Sequence, residues 1–357
     1  MGIRGAKRLL QAQAKPVDTT ELQQFSEIPV DISLDGLSLL YESLTPENLK
    51  VTTDPSYIDG YDENLMTEST YKMTYNYVNE IQLQCPVYRV KIYIDGPSPS
   101  LKSKNMSANR KFDLNLAIEL MCQKIIQRLP FNGESKVIKL PFGEAEYECF
   151  LRRDVSRPNI LRSRDSDLFH ICYGYQKQTA NDAVFYFNPD WNCMYNMSEI
   201  NLNMPKLVCS TILFLKGTDL TKKILDEDKC MKVFQLFKNE FKNISKENII
   251  AIMKEIEAVR HICRKYHDKE RKIQSMITEK IESQSIDGLY EIGDVEKIVK
   301  SLEKIIRTAQ RKKKYSANNN VSSVFAVPED DLKIITWSAN YSLIGARLIG
   351  YHTRNSG

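Results

Sequence analysis

The segment that decides the fold runs from Leu140 to Gly174 and reads LPFGEAEYECFLRRDVSRPNILRSRDSDLFHICYG. It contains two tight acidic clusters, Glu144 to Glu146 and Asp165 to Asp167. A short apolar run precedes each cluster, Val137 to Leu140 before the first and Asn159 to Ser163 before the second, and residues of helical composition follow. The pattern predicts two strand-to-helix units whose acids follow the carboxyl ends of neighbouring strands, where an α/β sheet places its ligand site.

The paired acids indicate a metal site. Carboxylates held this close repel each other strongly unless cations lie between them, and hard divalent cations such as Mg²⁺ or Mn²⁺ prefer oxygen ligands. The neighbouring Glu148 is left out of the predicted ligand set. The alternative is that acids in the first turn of a helix only stabilise it through the helix dipole. The predicted ligands in this segment are Glu144, Glu146, Asp165 and Asp167.

Further acids stand in the same setting, each after an apolar run. Asp35 ends a run that continues as a predicted helix, and Asp219 follows a predicted buried helix. Asp95 follows the run Val87 to Ile94, whose alternation and β-branched residues predict a strand. Together these runs predict an α/β fold with a central, mostly parallel sheet flanked by helices and a helical carboxyl-terminal region.

Composition excludes several classes of protein. The chain has 357 residues, of which 42% are hydrophobic and 27% charged, as in a soluble globular protein. Its eight cysteines form no CxxC motif and its four histidines are scattered, which favours buried thiols in a reducing compartment over disulfides or a zinc site. No apolar run approaches the roughly 20 residues of a membrane helix, and no signal peptide is evident. We therefore expect an intracellular protein, nuclear or cytoplasmic, with no membrane partner.

Charge favours a polyanionic partner. The net charge of +4 is a weak signal by itself, but 50 basic residues alongside a carboxylate-rich centre would suit a polyanionic substrate that reaches it through a basic rim. Helical patterns follow at Asp226 to Phe241, Lys246 to Glu282 and Val295 to Lys314. The third ends in a basic run that either is a solvated face complementing the helix dipole or contacts nucleic acid or serves as a nuclear signal. That run consists of Arg311, Lys312, Lys313 and Lys314.

With these residues in place, the chain resembles the flap endonuclease/XPG family of 5′ nucleases over residues 1 to 219. The resemblance rests on acids in the family's order, each within a short motif. The matching motifs are Met1 to Gly5, Ser33 to Asp35 followed by Tyr41, Ile94 to Gly96 followed by Leu101 to Ser103, Gly143 to Glu146, Asp165 to Asp167, and Lys216 to Asp219.

The resemblance implies phosphodiester hydrolysis assisted by two ions of Mg²⁺ or Mn²⁺. Lys102 would contact the scissile phosphate, and Arg110 would replace, with a one-residue shift, an arginine that the family's spacing places at Asn109. Tyr41 would stack on an unpaired base, or else be a core tyrosine with a wet hydroxyl. The implied ligands are Asp35, Asp95, Glu144, Glu146, Asp165, Asp167 and Asp219. The expected nucleic-acid contacts are Gly2, Tyr41, Lys104, Arg311, Lys312, Lys313 and Lys314.

The chain also departs from the family. The family's glycine-rich hairpin that holds a duplex has no counterpart, because Leu220 to Cys230 contains no glycine. The arch region is short, no convincing sliding-clamp motif is present, and the compact form resembles viral members. We expect a catalytic core at 1–219 with a shortened arch at 98–135, a helical region at 220–320, and a segment at 321–357 that packs back on the core.

Three functions remain open at this point. The leading one is a structure-selective 5′ nuclease acting on DNA flaps or junctions in replication or repair. The second is an RNA-directed endonuclease of the host-shutoff type, which the missing glycine turn slightly favours. The third is a nuclease fold reused as a structural or assembly protein.

Overall fold

The computed structural model describes residues 6–11, 14–43, 63–96, 114–141, 143–175, 177–200, 203–218, 221, 223–278, 286, 288–311 and 327–345. The chain divides into two compact units, one of residues 14–199 and one of residues 1–13 with 200–357. Several predicted site residues lie outside the described part of the chain. These are Gly2, Lys102, Lys104, Arg110, Asp219, Lys312, Lys313 and Lys314.

The unit of residues 14–199 is built on a six-stranded sheet. Its strands are β1 (Val30–Asp35), β2 (Val87–Ile94), β3 (Glu134–Lys139), β4 (Asn159–Arg162), β5 (Val184–Asn188) and β6 (Cys193–Asn196). The order across the sheet is β3-β2-β1-β4-β5-β6. All neighbouring pairs from β3 to β5 are parallel, and β6 pairs with β5 in the antiparallel sense. The predicted α/β class with a mostly parallel sheet is confirmed.

Helices lie between the strands along the chain. In this unit they are α2 (Gly36–Ser43), α3 (Glu63–Gln82), α4 (Leu114–Arg128), α5 (Ala145–Leu151) and α6 (Asp167–Cys172), with 3-10 helices at Thr19–Phe25 and Met197–Glu199. Helix α4 packs against α3, β2 and β3. The part of the predicted arch region that the structure describes is therefore largely helix α4 and strand β3.

Strand β1 shows how the sequence sets the two faces of the sheet. Successive side chains of a strand point to opposite faces, so Val30, Ile32 and Leu34 share one face. They join the apolar core that α3 and α4 complete. Asp31 and Asp35 share the other face of the same strand, and helix α5 packs against β1 and β2. The polar residues of β1 are thus carried into a buried position by the period of the strand.

The second unit is helical. Its helices are α1 (Ala6–Gln11), α7 (Lys206–Lys216), α8 (Glu227–Phe237), α9 (Lys246–Thr278), α10 (Ile292–Gln310) and α11 (Glu329–Ile344). Helix α7 is buried along its whole length, as its apolar run predicts. Helix α9 packs along α10, and α11 packs against α7, α9 and α10. The predicted helical carboxyl-terminal region is confirmed.

One predicted helix end is wrong. The third helical pattern was expected to continue through the basic run, but α10 ends at Gln310. Arg311 follows the helix with an extended backbone, and its carbonyl oxygen accepts a hydrogen bond from Asn248 Nδ2 at 3.3 Å. This contact with α9 competes with continuation of the helix.

Two further expectations from composition can be compared with the structure. All eight cysteines are free thiols, and all but Cys193 are buried. Within the described ranges, no helix combines the length and the apolar character that a bilayer-crossing segment needs.

Candidate functional site

The acids of the sheet unit lie where the strand order changes direction. From β1 the chain adds β2 and β3 on one side and β4 and β5 on the other. Asp35 is the last residue of β1, Asp95 follows β2, and Asp165 follows β4. Open α/β sheets bind ligands beyond the carboxyl ends of strands at such a switch point. We call this acidic group the carboxyl edge. It consists of Asp35, Asp95, Glu144, Glu146, Asp165 and Asp167.

Asp35 is held rigidly at the centre of the carboxyl edge. Its Oδ1 accepts hydrogen bonds from the backbone N–H groups of Leu37 at 3.0 Å and Ser38 at 3.2 Å, so the carboxylate caps the first turn of α2. Its Oδ2 accepts a hydrogen bond from Ser163 Oγ at 2.7 Å. Gly36 permits this turn, because a Cβ there would lie 2.9 Å from the carbonyl oxygen of Tyr93.

The Asp165 to Asp167 turn is tied to Asp35 through one serine. Ser163 Oγ, which donates to Asp35, also accepts a hydrogen bond from the backbone N–H of Asp165 at 3.0 Å. Asp165 Oδ1 in turn accepts from the backbone N–H of Asp167 at 2.9 Å, at the start of α6. A continuous chain of hydrogen bonds therefore joins the acid of β1 to both acids after β4.

Side chains from α2 and β5 hold the same turn from the outside. Ser38 Oγ accepts from the backbone N–H of Arg164 at 2.8 Å, and Asn188 Nδ2 donates to the carbonyl oxygen of Arg164 at 3.0 Å. The Tyr186 hydroxyl donates to the carbonyl oxygen of Asp165 at 3.2 Å. Backbone groups on both sides of the turn are thereby satisfied, which fixes where its side chains can point.

The paired glutamates are placed by Asp95. Asp95 Oδ1 accepts a hydrogen bond from the backbone N–H of Ala145 at 2.7 Å, between the two glutamates. Gly143, which has a φ of 90°, accepts from the Gly96 N–H at 2.8 Å through its carbonyl oxygen and turns the chain into α5. Glu144 and Glu146 are both buried. The end of β2 and the start of α5 therefore present their acids together.

The carboxyl edge has two halves, one formed by Asp35, Asp165 and Asp167 and the other by Asp95, Glu144 and Glu146, and charges from both halves affect the pKa values of nearby groups. Burial raises the pKa of the Asp35 carboxyl, hydrogen bonds from Ser163 and the α2 backbone lower it, and the charge of Asp165 raises it further. Burial, and after it the charges of Asp35 and Glu146, raise the pKa of the Cys149 thiol in α5. The charge of Asp165 therefore acts on Asp35, and the charges of Asp35 and Glu146 both act on Cys149.

Glu148 has a different role from its acidic neighbours. Its side chain is buried and its Oε2 accepts from Arg152 Nε at 2.5 Å, one turn along α5. A carboxylate already paired with a guanidinium is a poor candidate for a metal ligand. Leaving Glu148 out of the predicted ligand set agrees with this contact.

The donor chemistry of the carboxyl edge fits a hard divalent cation, because every member is a carboxylate and the strongest perturbation on Asp35 is burial of its charge. In the part of the chain that the structure describes, no three or more His, Cys, Asp or Glu side chains already form a metal-holding group. Cation binding would therefore have to draw the carboxylates of the two halves together.

The remaining predicted site residues fall in different places. Tyr41 lies on α2 and is 40% exposed, which places it on the surface rather than in the core. Arg311 follows α10 in the helical unit. Asp219, Lys102 and Arg110 lie outside the described residues.

Sequence reasoning missed the residues that orient the acids. Ser163 stands two residues before Asp165 at a strand end, and this position is a local signal that the sequence offered. Ser38 and Asn188 act on Arg164 from 126 and 24 residues away in the chain. Contacts at such separations leave no periodicity in a single sequence.

No family model matches the chain, and no curated protein matches it. Among solved structures, it is similar to the catalytic core of Rad2 in complex with a DNA substrate, at 14% identity over 83% of this chain and 85% of that chain, with a TM-score of 0.44. It is also similar to human GEN1 in complex with Holliday junction DNA, at 15% identity over 66% of this chain and 56% of that chain, with a TM-score of 0.42.

A mutant of the T5 5′-exonuclease is similar at 10% identity over 88% of this chain and 99% of that chain, with a TM-score of 0.36. TM-scores below 0.5 at such identities establish neither a shared activity nor a shared site. The function is therefore argued from the side chains of the carboxyl edge.

Proposed function

We propose that this protein is a divalent-metal-dependent nuclease that hydrolyses phosphodiester bonds in branched DNA, as a structure-selective 5′ nuclease. One observation carries the proposal. Acids at the carboxyl ends of β1, β2 and β4 and at the start of α5 stand on the same edge of the sheet at the strand-order switch, and Asp35 and Asp165 both contact Ser163. Clustered carboxylates repel one another unless cations bind between them, and carboxylate-bound Mg²⁺ is common where proteins act on phosphate groups.

The chain's own residues hold and orient the reacting groups in this mechanism. Asp165, Asp167 and Glu146 would bind one ion, and Asp35, Asp95 and Glu144 would place the second. When bound, the two ions supply an activated water for in-line attack and stabilise the leaving oxygen. The hydrogen bonds on Asp35 and on the Asp165 turn orient these acids relative to each other before substrate arrives, so cation binding would have to move mainly the glutamates and Asp95 relative to them.

Cleavage of labelled DNA tests the proposal directly. We expect the purified protein with Mg²⁺ to cut a flap or hairpin near its junction, and the Asp165→Asn and Asp167→Asn variants not to cut it. Melting temperatures measured in parallel show that the variants remain folded. Cleavage by either variant at the rate of the unaltered protein would contradict the proposal, as would no cleavage of any branched, duplex or single-stranded DNA with Mg²⁺ or Mn²⁺.

A second candidate is an RNA-directed endonuclease, and the glycine-free segment from Leu220 to Cys230 favours it. Without glycine, backbone amides approach a duplex backbone less closely, so duplex DNA loses one means of recognition. Matched RNA and DNA hairpins of one sequence distinguish the candidates. Faster single-turnover cleavage of the RNA hairpin would favour the second candidate.

A further inference from the structure

Arg164 stands inside the acidic turn, between Ser163 and Asp165, and its backbone is fixed on both sides. Ser38 Oγ accepts from its N–H at 2.8 Å, and Asn188 Nδ2 donates to its carbonyl oxygen at 3.0 Å. Because the backbone is fixed, the root of the side chain has a defined place next to Asp165. The sequence prediction of nucleic-acid contacts did not include this residue.

The guanidinium of Arg164 uses only some of its hydrogen-bond donors within the described part of the chain. Its Nε donates to Asp190 Oδ1 at 2.8 Å, and the side chains are 35% and 46% exposed. Within the described chain its two Nη atoms make no hydrogen bond, although a guanidinium has five N–H donors. Exposed ion pairs of this kind contribute about 0–1 kcal/mol, so the partner can be exchanged at little cost.

Arg162, two residues earlier, is an arginine of the same region whose guanidinium is buried in a bidentate ion pair. Its Nη1 and Nη2 donate to both carboxylate oxygens of Glu42 at 2.8 and 2.5 Å, and its side chain is only 5% exposed. The two arginines therefore differ in role. Arg162 completes a buried pair, whereas the guanidinium of Arg164, one residue before Asp165, lies beside Asp190, acts on the charge of Glu42 and is partly exposed to solvent.

A polyanion that reaches the carboxyl edge meets a field of negative charge. An arginine beside the acids offsets repulsion, and its planar donors match phosphate oxygens in a bidentate contact. We propose that Arg164 binds a backbone phosphate of the nucleic acid, exchanging Asp190 for phosphate oxygens. This inference rests on the proposed nuclease function and adds a substrate contact to the same site.

If the proposal holds, replacing Arg164 and replacing its ion-pair partner Asp190 have different effects on nucleic-acid binding. All variants are made on Asp167→Asn, so that the probe is not consumed, and binding of a labelled DNA flap is measured over a NaCl series. Arg164→Ala should weaken binding about tenfold, as for loss of a charge-assisted hydrogen bond. It should also flatten the slope of log affinity against log salt by about 0.7–0.9.

Asp190→Ala is the matched control. It breaks the same ion pair but leaves the Arg164 guanidinium in place. The affinity for the DNA flap should therefore stay equal or rise, and the slope of log affinity against log salt should be unchanged. Arg164→Lys should keep the slope and recover part of the affinity. Melting temperatures identify any variant that fails to fold. If Arg164→Ala fails to fold, Arg164→Lys and Asp190→Ala still test whether the cation or only the ion pair matters for binding.

The outcomes separate this inference from the proposed function. An equal loss of affinity in Arg164→Ala and Asp190→Ala, with the slope unchanged in both, would mean that the pair only tethers the turn between β5 and β6. That result overturns the inference and leaves the nuclease proposal standing. No binding of any nucleic acid by the Asp167→Asn parent would overturn both.

Discussion

Strand β1 carries a buried aspartate near each end, and the two differ in the charge of the groups around them. Asp31, fully buried, accepts from Arg89 Nε at 3.0 Å and Nη2 at 2.5 Å, and Lys91 Nζ lies 3.5 Å away. Among the described residues, the hydrogen-bond donors to Asp35, which is 6% exposed, are all neutral, and the charge of Asp165 acts on it. Both side chains lie on the same face of the same strand, so local structure does not explain the difference.

The difference between Asp31 and Asp35 is consistent with placing the proposed site at the carboxyl ends of the strands. At the amino end, each buried charge has its counter-charge within the chain, as stability requires. At the carboxyl end the described residues raise the pKa of the Asp35 carboxyl through burial and a like charge. Buried like charges of this kind suit a site where an external cation binds, and active sites often carry such perturbed groups.

The largest effect should come from Asp35→Asn. Asparagine can still accept from the Leu37 and Ser38 N–H groups, but it is a weak ligand and removes the repulsion with Asp165. Cleavage should fall by about 10³-fold, since a divalent ion provides several kcal/mol of transition-state stabilisation. The melting temperature at pH 7 should be equal or higher. Single-turnover cleavage and thermal unfolding check this, and a much less stable protein would contradict the contrast with Asp31.

Asp31→Ala should act in the opposite way. It removes the fully buried carboxylate next to the Lys91 ammonium and leaves the Arg89 guanidinium with its more exposed partners Asp154 and Glu134, which costs about 3–5 kcal/mol of unfolding free energy. Cleavage per folded molecule should be close to normal, because this end of the sheet does not touch substrate. Chemical denaturation measures the loss. A change below about 1 kcal/mol would show that Asp31 is not a structural counter-charge.

A smaller, pH-dependent effect is expected at Asp154, which joins the same network at 3.0 Å from Arg89. Burial raises the pKa of Asp154, but hydrogen bonds from Ser156 and the charge of Arg157 outweigh it and lower the pKa to about 2. Because the folded pKa is depressed, this stabilisation is complete above the ordinary Asp range and is lost as pH falls through about 2.

Asp154→Asn should therefore lower the unfolding free energy at pH 7 by about 1 kcal/mol or less, since solvent screens a half-exposed group. The difference from the unaltered protein should shrink steadily below pH 4 or so and vanish near the lowered pKa. Denaturation series at several pH values test this. A difference that stays constant with pH would mean that charge is not the cause.

The fold was largely predictable from the sequence, because β1, β2, β4 and β5 contain buried apolar residues, either in runs or alternating with polar ones. Strand β6 was missed. It is a short segment, Cys193–Asn196, whose end residues are only partly buried, so it carries little hydrophobic signal. The start of α10 was placed late because Gly293 suggested a break, yet that glycine lies in the first turn of the helix.

The site was predictable in part. The acids stand at strand ends, and parallel strands bring their carboxyl ends to one edge, so Asp35, Asp95 and Asp165 could be placed together. What holds them could not be deduced, because Ser38 and Asn188 act through long-range contacts. The pairing of Asp31 with Arg89, 58 residues apart, was likewise invisible, so the contrast between the two ends emerged only from the structure.

Metal binding itself tests the central claim most directly. Mn²⁺ or Mg²⁺ is titrated into the protein and into the Asp165→Asn/Asp167→Asn double variant by calorimetry, with thermal unfolding in parallel. We predict two bound ions in the unaltered protein and a stabilisation of about 2.7 kcal/mol for each ion at a hundredfold excess over its Kd. The double variant should lose at least one ion and most of that stabilisation. Equal binding by both proteins, or no binding by either, would contradict the account.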